Sequence, residues 1–255
     1  MMPLQQGFAQ RPSPNNGPRA AGVPVDILLL HYTGMPSAEG ALEWLVSPQS
    51  QVSAHYFIFE DGHVVQLVDE GQRAWHAGKS FWAGETDINS RSVGIEIANP
   101  GHEFGYRGFP HAQVAAVIDL CRGILSRHPI PPERVLAHSD VAPLRKEDPG
   151  ELFPWGELNA AGIGHWVMPE PVVAGPMLQA GDEGEAVLDL KYRFRTYGYG
   201  LGPESLFEGA VFDDETAAVV RAFQRHFRPA QIDGIADVST IATLDKLLSA
   251  LPATS

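Results

Sequence analysis

Cysteine is almost absent from this chain of 255 residues, which contains Cys121 alone. A single thiol cannot form an internal disulfide, and its isolation also excludes a metal site built from several cysteines. Cys121 falls within an apolar, helix-like pattern, where packing in the core is the usual role of a free cysteine. We therefore expect Cys121 to be a core residue.

Basic residues are also scarce. The sequence has 18 lysines and arginines against 31 aspartates and glutamates, which gives a formal net charge of −13. No basic stripe is present to neutralise phosphates, so nucleic-acid binding is disfavoured. We expect no nucleic-acid partner.

Long hydrophobic runs are missing as well. No stretch of about 18 apolar residues occurs, so no transmembrane helix is expected. Residues 1–23 are rich in Pro, Gly, Gln and Asn and lack both an apolar segment before a cleavage site and a lipidation cysteine, unlike a signal peptide. Their composition predicts a mobile or surface-laid arm. Hydrophobic residues still make up 44% of the chain, which is enough for a sizeable core.

Strand and helix patterns alternate after the arm and predict an α/β domain with a mixed central sheet flanked by helices. Helical spacing covers 38–46 and 110–128. An Asp-Gly pair at Asp61-Gly62 predicts a hairpin turn. The strand-like runs are 26–31, 54–59, 64–68, 92–98 and 134–138.

The strand at 92–98 has a period of two that matters for function. Val93, Ile95 and Ile97 point to one face, whereas Glu96 shares the other face with small neighbours. A carboxylate in such a position is either half-solvated or lines a cleft.

The C-terminal part has a different, all-helical pattern. Helical spacing covers 184–197, 213–227 and 237–251, with Gly198 placed to end the first helix and Asp213 or Asp214 to cap the second. The predicted division of the chain is an arm at 1–23, a catalytic domain at 24–165, a Pro-rich linker at 166–176 and a small three-helix domain at 177–255.

Two histidines and one aspartate form the candidate metal site. His31 and His138 each end an apolar strand, and Asp148 follows His138 in a loop bent by prolines. Two imidazoles and a carboxylate, with a fourth position left to water, make a catalytic zinc site. The same ligands also fit an Fe(II) oxygenase with open positions. Taken singly, each histidine is more commonly a hydrogen-bonded core residue, and Asp148 a turn or cap residue.

The remaining histidines have more ordinary interpretations. His55, in mid-strand, is predicted to be a structural hydrogen-bonder beside the site. His76 either lines the cleft wall or only packs. His226, with several others, looks like a surface or loop residue.

Five strings occur in the order seen in one enzyme family. They are Leu29-Leu30-His31-Tyr32-Thr33, Val52-Ser53-Ala54-His55-Tyr56, Trp75-His76-Ala77-Gly78, Asn89-x-x-Ser92-x-Gly94-Ile95-Glu96-Ile97, and Ala137-His138-Ser139-Asp140 with Lys146-Glu147-Asp148-Pro149-Gly150. Over roughly residues 24–160 the chain resembles the type 2 N-acetylmuramoyl-L-alanine amidases, which are related in fold to T7 lysozyme and the peptidoglycan recognition proteins.

The resemblance implies a zinc enzyme that hydrolyses the amide between N-acetylmuramic acid and L-alanine. The family's ligands fall on His31, His138 and Asp148, its catalytic glutamate on Glu96 and its oxyanion-stabilising lysine on Lys146. The candidate substrate-wall residues are Tyr32, His55, Trp75, His76 and Asn99.

The C-terminal helices resemble a three-helix peptidoglycan-binding domain. The matching residues are Leu178, Gly181, Asp182, Gly184, Val187, Gly198, Tyr199, Phe212, Asp213, Thr216, Ala222, Phe223, Gln224, Asp233 and Gly234. The alternative is that these helices only decorate the enzyme.

The implied partner is peptidoglycan or a muropeptide, bound by a monomer. The absent signal favours the cytoplasm, whereas a wall-binding domain favours the periplasm or cell envelope. A non-catalytic wall-recognition module is the main rival function.

Overall fold

The computed structural model describes residues 7–201 and 211–251, so the first six residues of the predicted arm lie outside it. Two compact units are present. The first is the chain through Gly78 together with Asp87–Leu136, and the second is Lys79–Thr86 together with the chain from Ala137 onward. Within the described ranges, no helix combines the length and the apolar character that crossing a bilayer requires.

The first unit is built on a six-stranded mixed sheet with the order β1-β5-β4-β7-β3-β8. Strand β7 runs parallel to β3 and β4, whereas β4 and β5 form the antiparallel hairpin predicted around Asp61-Gly62. A separate ribbon pairs β2 with β6. The strands are β1 (Ala9–Gln10), β2 (Asn16–Pro18), β3 (Ile27–Tyr32), β4 (Tyr56–Ile58), β5 (Val64–Gln66), β6 (Gln72–Ala74), β7 (Ser92–Ile97) and β8 (Val135–Ala137).

The N-terminal segment contributes two of these strands, which its Pro- and Gly-rich composition did not predict. β1 pairs in parallel with β5, and β2 pairs with β6. The guanidinium of Arg19 then donates to main-chain carbonyls at 2.9–3.2 Å, at Glu70, Asn89, Ser90 and Ser92. These bonds tie the end of the arm to the start of β7.

Helices flank the sheet. α1 (Ala38–Val46) begins at Ser37, whose hydroxyl accepts the Gly40 amide, and its apolar side packs with Phe57, Val65 and Ala98. α4 (His111–Arg127) buries Val114, Val117, Leu120, Cys121 and Ile124. Two short helices, α2 (Ile88–Arg91) and α3 (Gly101–Phe104), and a 3₁₀ turn at Pro132–Arg134 lie in the connections.

The second unit is helical: α5 (His138–Val141), α6 (Trp155–Ala160), α7 (Glu185–Tyr197), α8 (Asp214–Phe227) and α9 (Val238–Ser249). Phe194 of α7 packs edge-on against Phe223 of α8, with ring centroids 5.4 Å apart. Gly198, at φ +133°, ends α7, as predicted, and Asp213 caps α8 by accepting the Thr216 amide. All three predicted C-terminal helices are therefore present.

The two-unit division differs from the boundary predicted at residue 165. The loop that begins at His138 groups with the C-terminal helices, because Asp140 accepts hydrogen bonds from Tyr199 and His226. Residues 79–86 join the same unit because Trp82 packs edge-on against Tyr199. Neither contact has a signal in local sequence patterns.

Candidate active site

His31 and Glu96 are aligned partners on the parallel strands β3 and β7. Registered residues on neighbouring strands point to the same face of a sheet, about 5 Å apart at the backbone. His31 is buried and Glu96 is half-buried. The strand pairing therefore brings an imidazole and a carboxylate to one face of the first unit, as the alternating pattern of β7 predicted for Glu96.

A chain of hydrogen bonds fixes how the His31 ring is protonated. The Ser92 hydroxyl donates to the Ile88 carbonyl at 2.7 Å, so its oxygen accepts from Nε2 of His76 at 3.2 Å. Nδ1 of His76 then carries a lone pair and accepts from Nε2 of His31 at 3.0 Å. Because a neutral imidazole has one proton, Nδ1 of His31 is left with the lone pair that a metal requires.

Gly94 makes room for this arrangement. A Cβ at position 94 would lie 2.5 Å from Nδ1 of His76, so only glycine lets that ring pack on β7. The other side of Gly94 is held by His55, whose Nδ1 accepts the Gly94 amide at 2.9 Å. Gly94, which shares a face of β7 with Glu96, is thus needed for the His76 ring to pack against the strand.

His55 is structural. Its ring is fully buried, and with Nδ1 accepting from Gly94 its Nε2 donates to the Gln72 carbonyl at 3.1 Å. Burial, and next the positive charge of Arg19, lower the pKa of His55 to about 3. The imidazole is therefore neutral and has no surface to offer a substrate. This corrects its inclusion among the substrate-wall residues and agrees with the alternative prediction of a structural hydrogen-bonder.

The other metal candidates lie in the loop of the second unit. His138 and Asp148 are both buried, and Nδ1 of His138 lies 3.0 Å from Oδ2 of Asp148. The amide of Ser139 donates to the Asp148 carbonyl at 3.0 Å, which closes the loop on itself. Ten positions of chain therefore return to their start, as the prolines in this stretch predicted.

One ligand atom from each of His31, His138 and Asp148 lies within 4.8 Å of the others. Ligands on a tetrahedral zinc ion with bonds of about 2.0–2.1 Å lie about 3.3 Å apart. The 3.0 Å separation of His138 and Asp148 fits such a pair. Two imidazoles and one carboxylate are a donor set that zinc accepts, so the residues present fit the metal.

The remaining predicted site residues differ in exposure. Lys146 and Trp75 are half-buried, and so is Tyr32, whose hydroxyl meets Nδ1 of His102 at 3.0 Å. Asn99 is only 3% exposed, and its side chain donates to the Arg107 carbonyl and accepts the Gly101 amide. Asn99 thus organises its own loop, and its side chain has little surface for a substrate. His76 is 8% exposed and bonded to His31.

Three side chains that the sequence did not single out support the site. Asn89 accepts the amides of His76 and Ala77, and Ser92 orients His76. His226, predicted at the surface, is a buried helical residue bonded to Asp140. Asn89 and Ser92 lay within a recognised string, but their spacing alone carries no sign of these bonds.

The fold and the donor set define the class of protein: an α/β protein with a candidate site for a divalent metal. The N-acetylmuramoyl-L-alanine amidase family matches residues 21–151, and a peptidoglycan binding domain matches residues 183–244.

Individual relatives agree with this assignment. AmiD of Escherichia coli strain K12, an N-acetylmuramoyl-L-alanine amidase, is 37% identical over 245 residues, which cover 90% of this chain and 84% of AmiD. AmpD of the same strain, a 1,6-anhydro-N-acetylmuramyl-L-alanine amidase, is 33% identical over 179 residues, 62% of this chain and 96% of AmpD.

Solved structures give the same result. The complex of Escherichia coli AmiD with the substrate anhydro-N-acetylmuramic acid-L-Ala-D-gamma-Glu-L-Lys is similar with a TM-score of 0.73 at 33% identity, covering 97% of this chain and 92% of that one. AmpDH3 from Pseudomonas aeruginosa is similar with a TM-score of 0.73 at 31% identity, and the match covers 99% of this chain and 100% of the AmpDH3 chain. This chain belongs to the N-acetylmuramoyl-L-alanine amidase family, and it is an enzyme of that class.

Proposed function

We propose that this amidase is zinc-dependent and hydrolyses the amide bond between the lactyl group of N-acetylmuramic acid and L-alanine. The observation that carries the proposal is the grouping of one ligand atom each from His31, His138 and Asp148 within 4.8 Å. Zinc, when bound, lowers the pKa of water to about 7 and polarises a carbonyl oxygen. An Fe(II) oxygenase has the same ligand types, but it gives Glu96 and Lys146 no task.

Glu96 is the proposed general base and acid. It takes a proton from the attacking water and delivers that proton to the amine of L-alanine as the C–N bond breaks. Its alignment with His31 across β3 and β7 supports the role, because it sets the carboxylate on the face that carries a metal ligand.

Lys146 is the proposed electrostatic partner of the carbonyl oxygen. Its ammonium stabilises the negative charge that develops there during attack, and one donor of this kind is commonly worth about 100- to 1000-fold in rate. The position in the Lys146-Glu147-Asp148-Pro149-Gly150 string supports the assignment.

His76 is a positioning residue in this scheme. His76 accepts a hydrogen bond from the protonated Nε2 of His31, which leaves Nδ1 of the His31 ring for the metal. The Ser92 hydroxyl in turn accepts a hydrogen bond from Nε2 of His76 and fixes that ring. Such partners of ligating histidines typically contribute about 10- to 100-fold to metal affinity.

The proposed substrates are muropeptides and intact peptidoglycan. AmiD and AmpDH3 have been solved with anhydro-muramic peptides, which supports a soluble substrate. The peptidoglycan binding domain matched at residues 183–244 supports contact with the polymer. Gln224, one of the motif residues, accepts hydrogen bonds from the backbone amides of Asp233 and Gly234, which is a structural role. The motif at this position therefore identifies the fold of the domain.

The experiment that tests the proposal is incubation of the purified protein with intact sacculi and, separately, with soluble anhydro-muropeptides. Mass analysis should find free stem peptide beginning with L-alanine, together with muramic acid that has lost its peptide. Products cleaved at any other bond, or no products from either substrate, would contradict the proposed reaction.

A further inference from the structure

Two adjacent residues of α8 contact both ends of the loop that carries His138 and Asp148. His226 bonds through Nδ1 to Oδ2 of Asp140 at 2.7 Å, two residues after His138. Arg225 donates to Oε1 of Glu147 at 2.6 Å, one residue before Asp148. One turn of α8 therefore fastens the loop beside each of its two candidate ligands, His138 and Asp148.

Asp140 is the better built of these anchors. Its carboxylate is fully buried and accepts three hydrogen bonds, from the Ala137 amide at 2.8 Å, the Tyr199 hydroxyl at 2.7 Å and His226. A buried carboxylate has to be satisfied by such donors, because leaving it unbonded is costly. Two of the three donors, Tyr199 and His226, come from the C-terminal helical region. The Asp140 carboxylate therefore has all three hydrogen bonds only when that region is in position.

The His226 ring is itself held rigidly. It is buried and stacks on Trp155 of α6, with ring centroids 3.7 Å apart, and on the neighbouring Phe227 at 3.8 Å. Because the His226 ring is held on two sides, its Nδ1 can bond the Asp140 carboxylate from only one position. Rigid support of this kind is what keeps metal ligands in a productive arrangement.

We propose that the C-terminal helices position the metal-binding loop, with Tyr199 and His226 holding Asp140 so that His138 and Asp148 stay poised for zinc. This inference rests on the proposed zinc site. It gives the peptidoglycan-binding-like domain a second task, namely support of the catalytic loop, independent of any contact with the wall.

The test compares full-length variants. Tyr199→Phe removes only the hydroxyl that bonds Asp140, and His226→Leu removes the ring donor, whereas His226→Asn keeps an N–H donor near Nδ1. Tyr192→Phe is the matched control, because Tyr192 lies on α7 and is exposed. Zinc affinity is measured by competition with a chromogenic chelator, and folding of the metal-free variants by circular dichroism and thermal unfolding.

We expect Tyr199→Phe and His226→Leu to weaken zinc binding by about 10- to 100-fold, with His226→Asn recovering part of the loss and Tyr192→Phe matching the wild type. Lower melting temperatures with unchanged zinc affinity would overturn the inference, since that is what a merely structural role produces. A wild-type protein that binds no zinc would overturn the proposed function as well. If the wild type binds zinc and the variants bind it equally well, the inference is overturned but the proposed function stands.

Discussion

Glu96 lies directly across from His31 on adjoining parallel strands, so one sheet register sets the spacing between a metal-ligand candidate and the proposed general base. Both side chains are mounted on a buried sheet and not on a loop, which limits their movement. A slip of one residue in the pairing of β3 and β7 would send one of the two to the opposite face.

The first prediction concerns Glu96. Glu96→Ala should abolish turnover of a soluble muropeptide while the purified variant keeps its zinc, because the carboxylate moves protons and does not ligate the metal. General acid–base catalysis contributes about 100- to 10,000-fold. A variant that keeps more than about a tenth of wild-type activity has lost less than general acid–base catalysis contributes, which would show that Glu96 does not have this role.

The second prediction concerns the metal ligands. His138→Ala should leave less than one zinc per chain after purification, measured by elemental analysis, because only two of the three protein ligands remain. The control is His111→Ala, which removes an exposed histidine at the start of α4. Full zinc occupancy in His138→Ala would show that His138 is not a ligand.

The third prediction separates orientation from packing at His76. His76→Leu fills the space but offers no acceptor to Nε2 of His31, so zinc affinity should fall by about 10- to 100-fold. His76→Asn places an oxygen close to the position of Nδ1 and should retain more of the affinity. Equal affinities for the two variants, measured by chelator competition, would mean that His76 only packs.

The fourth prediction concerns pH and His55. The unfolded imidazole has a pKa of about 6.5, whereas burial lowers the folded value to about 3. Between these values the unfolded state binds a proton that the folded state does not, so the free energy of unfolding should fall as pH falls from about 6.5 toward 3.

His55→Asn isolates this effect, because it keeps an acceptor for the Gly94 amide but does not titrate. Urea unfolding of the metal-free proteins at several pH values gives the comparison. Wild-type stability should decline more steeply than that of the variant across this range. Parallel curves would show that the folded protein does not hold His55 neutral.

Much of the fold followed from local patterns. The apolar run before His31, the Asp61-Gly62 turn and the period of β7 predicted the central strands, and helical spacing predicted α4 and the three C-terminal helices. These elements were predictable because each carries its signal within one short stretch of sequence, as an apolar run, a turn pair or a regular spacing of apolar residues.

The rest depended on contacts between distant residues. Strands β1 and β2 follow from pairing with β5 and β6, which no local composition indicates. The sequence placed His226 at the surface, but its partner Asp140 lies 86 positions away. His55 was recognised in a family string, yet its burial, and so its structural task, became evident only from the sheet.

The most direct test of the account is amidase turnover before and after the metal is removed. The wild-type protein is dialysed against a chelator, assayed on a soluble anhydro-muropeptide by mass analysis, and assayed again after stoichiometric zinc is restored. We predict that cleavage between muramic acid and L-alanine stops on removal and returns with zinc. Turnover that continues unchanged in protein shown to be free of metal would contradict the account.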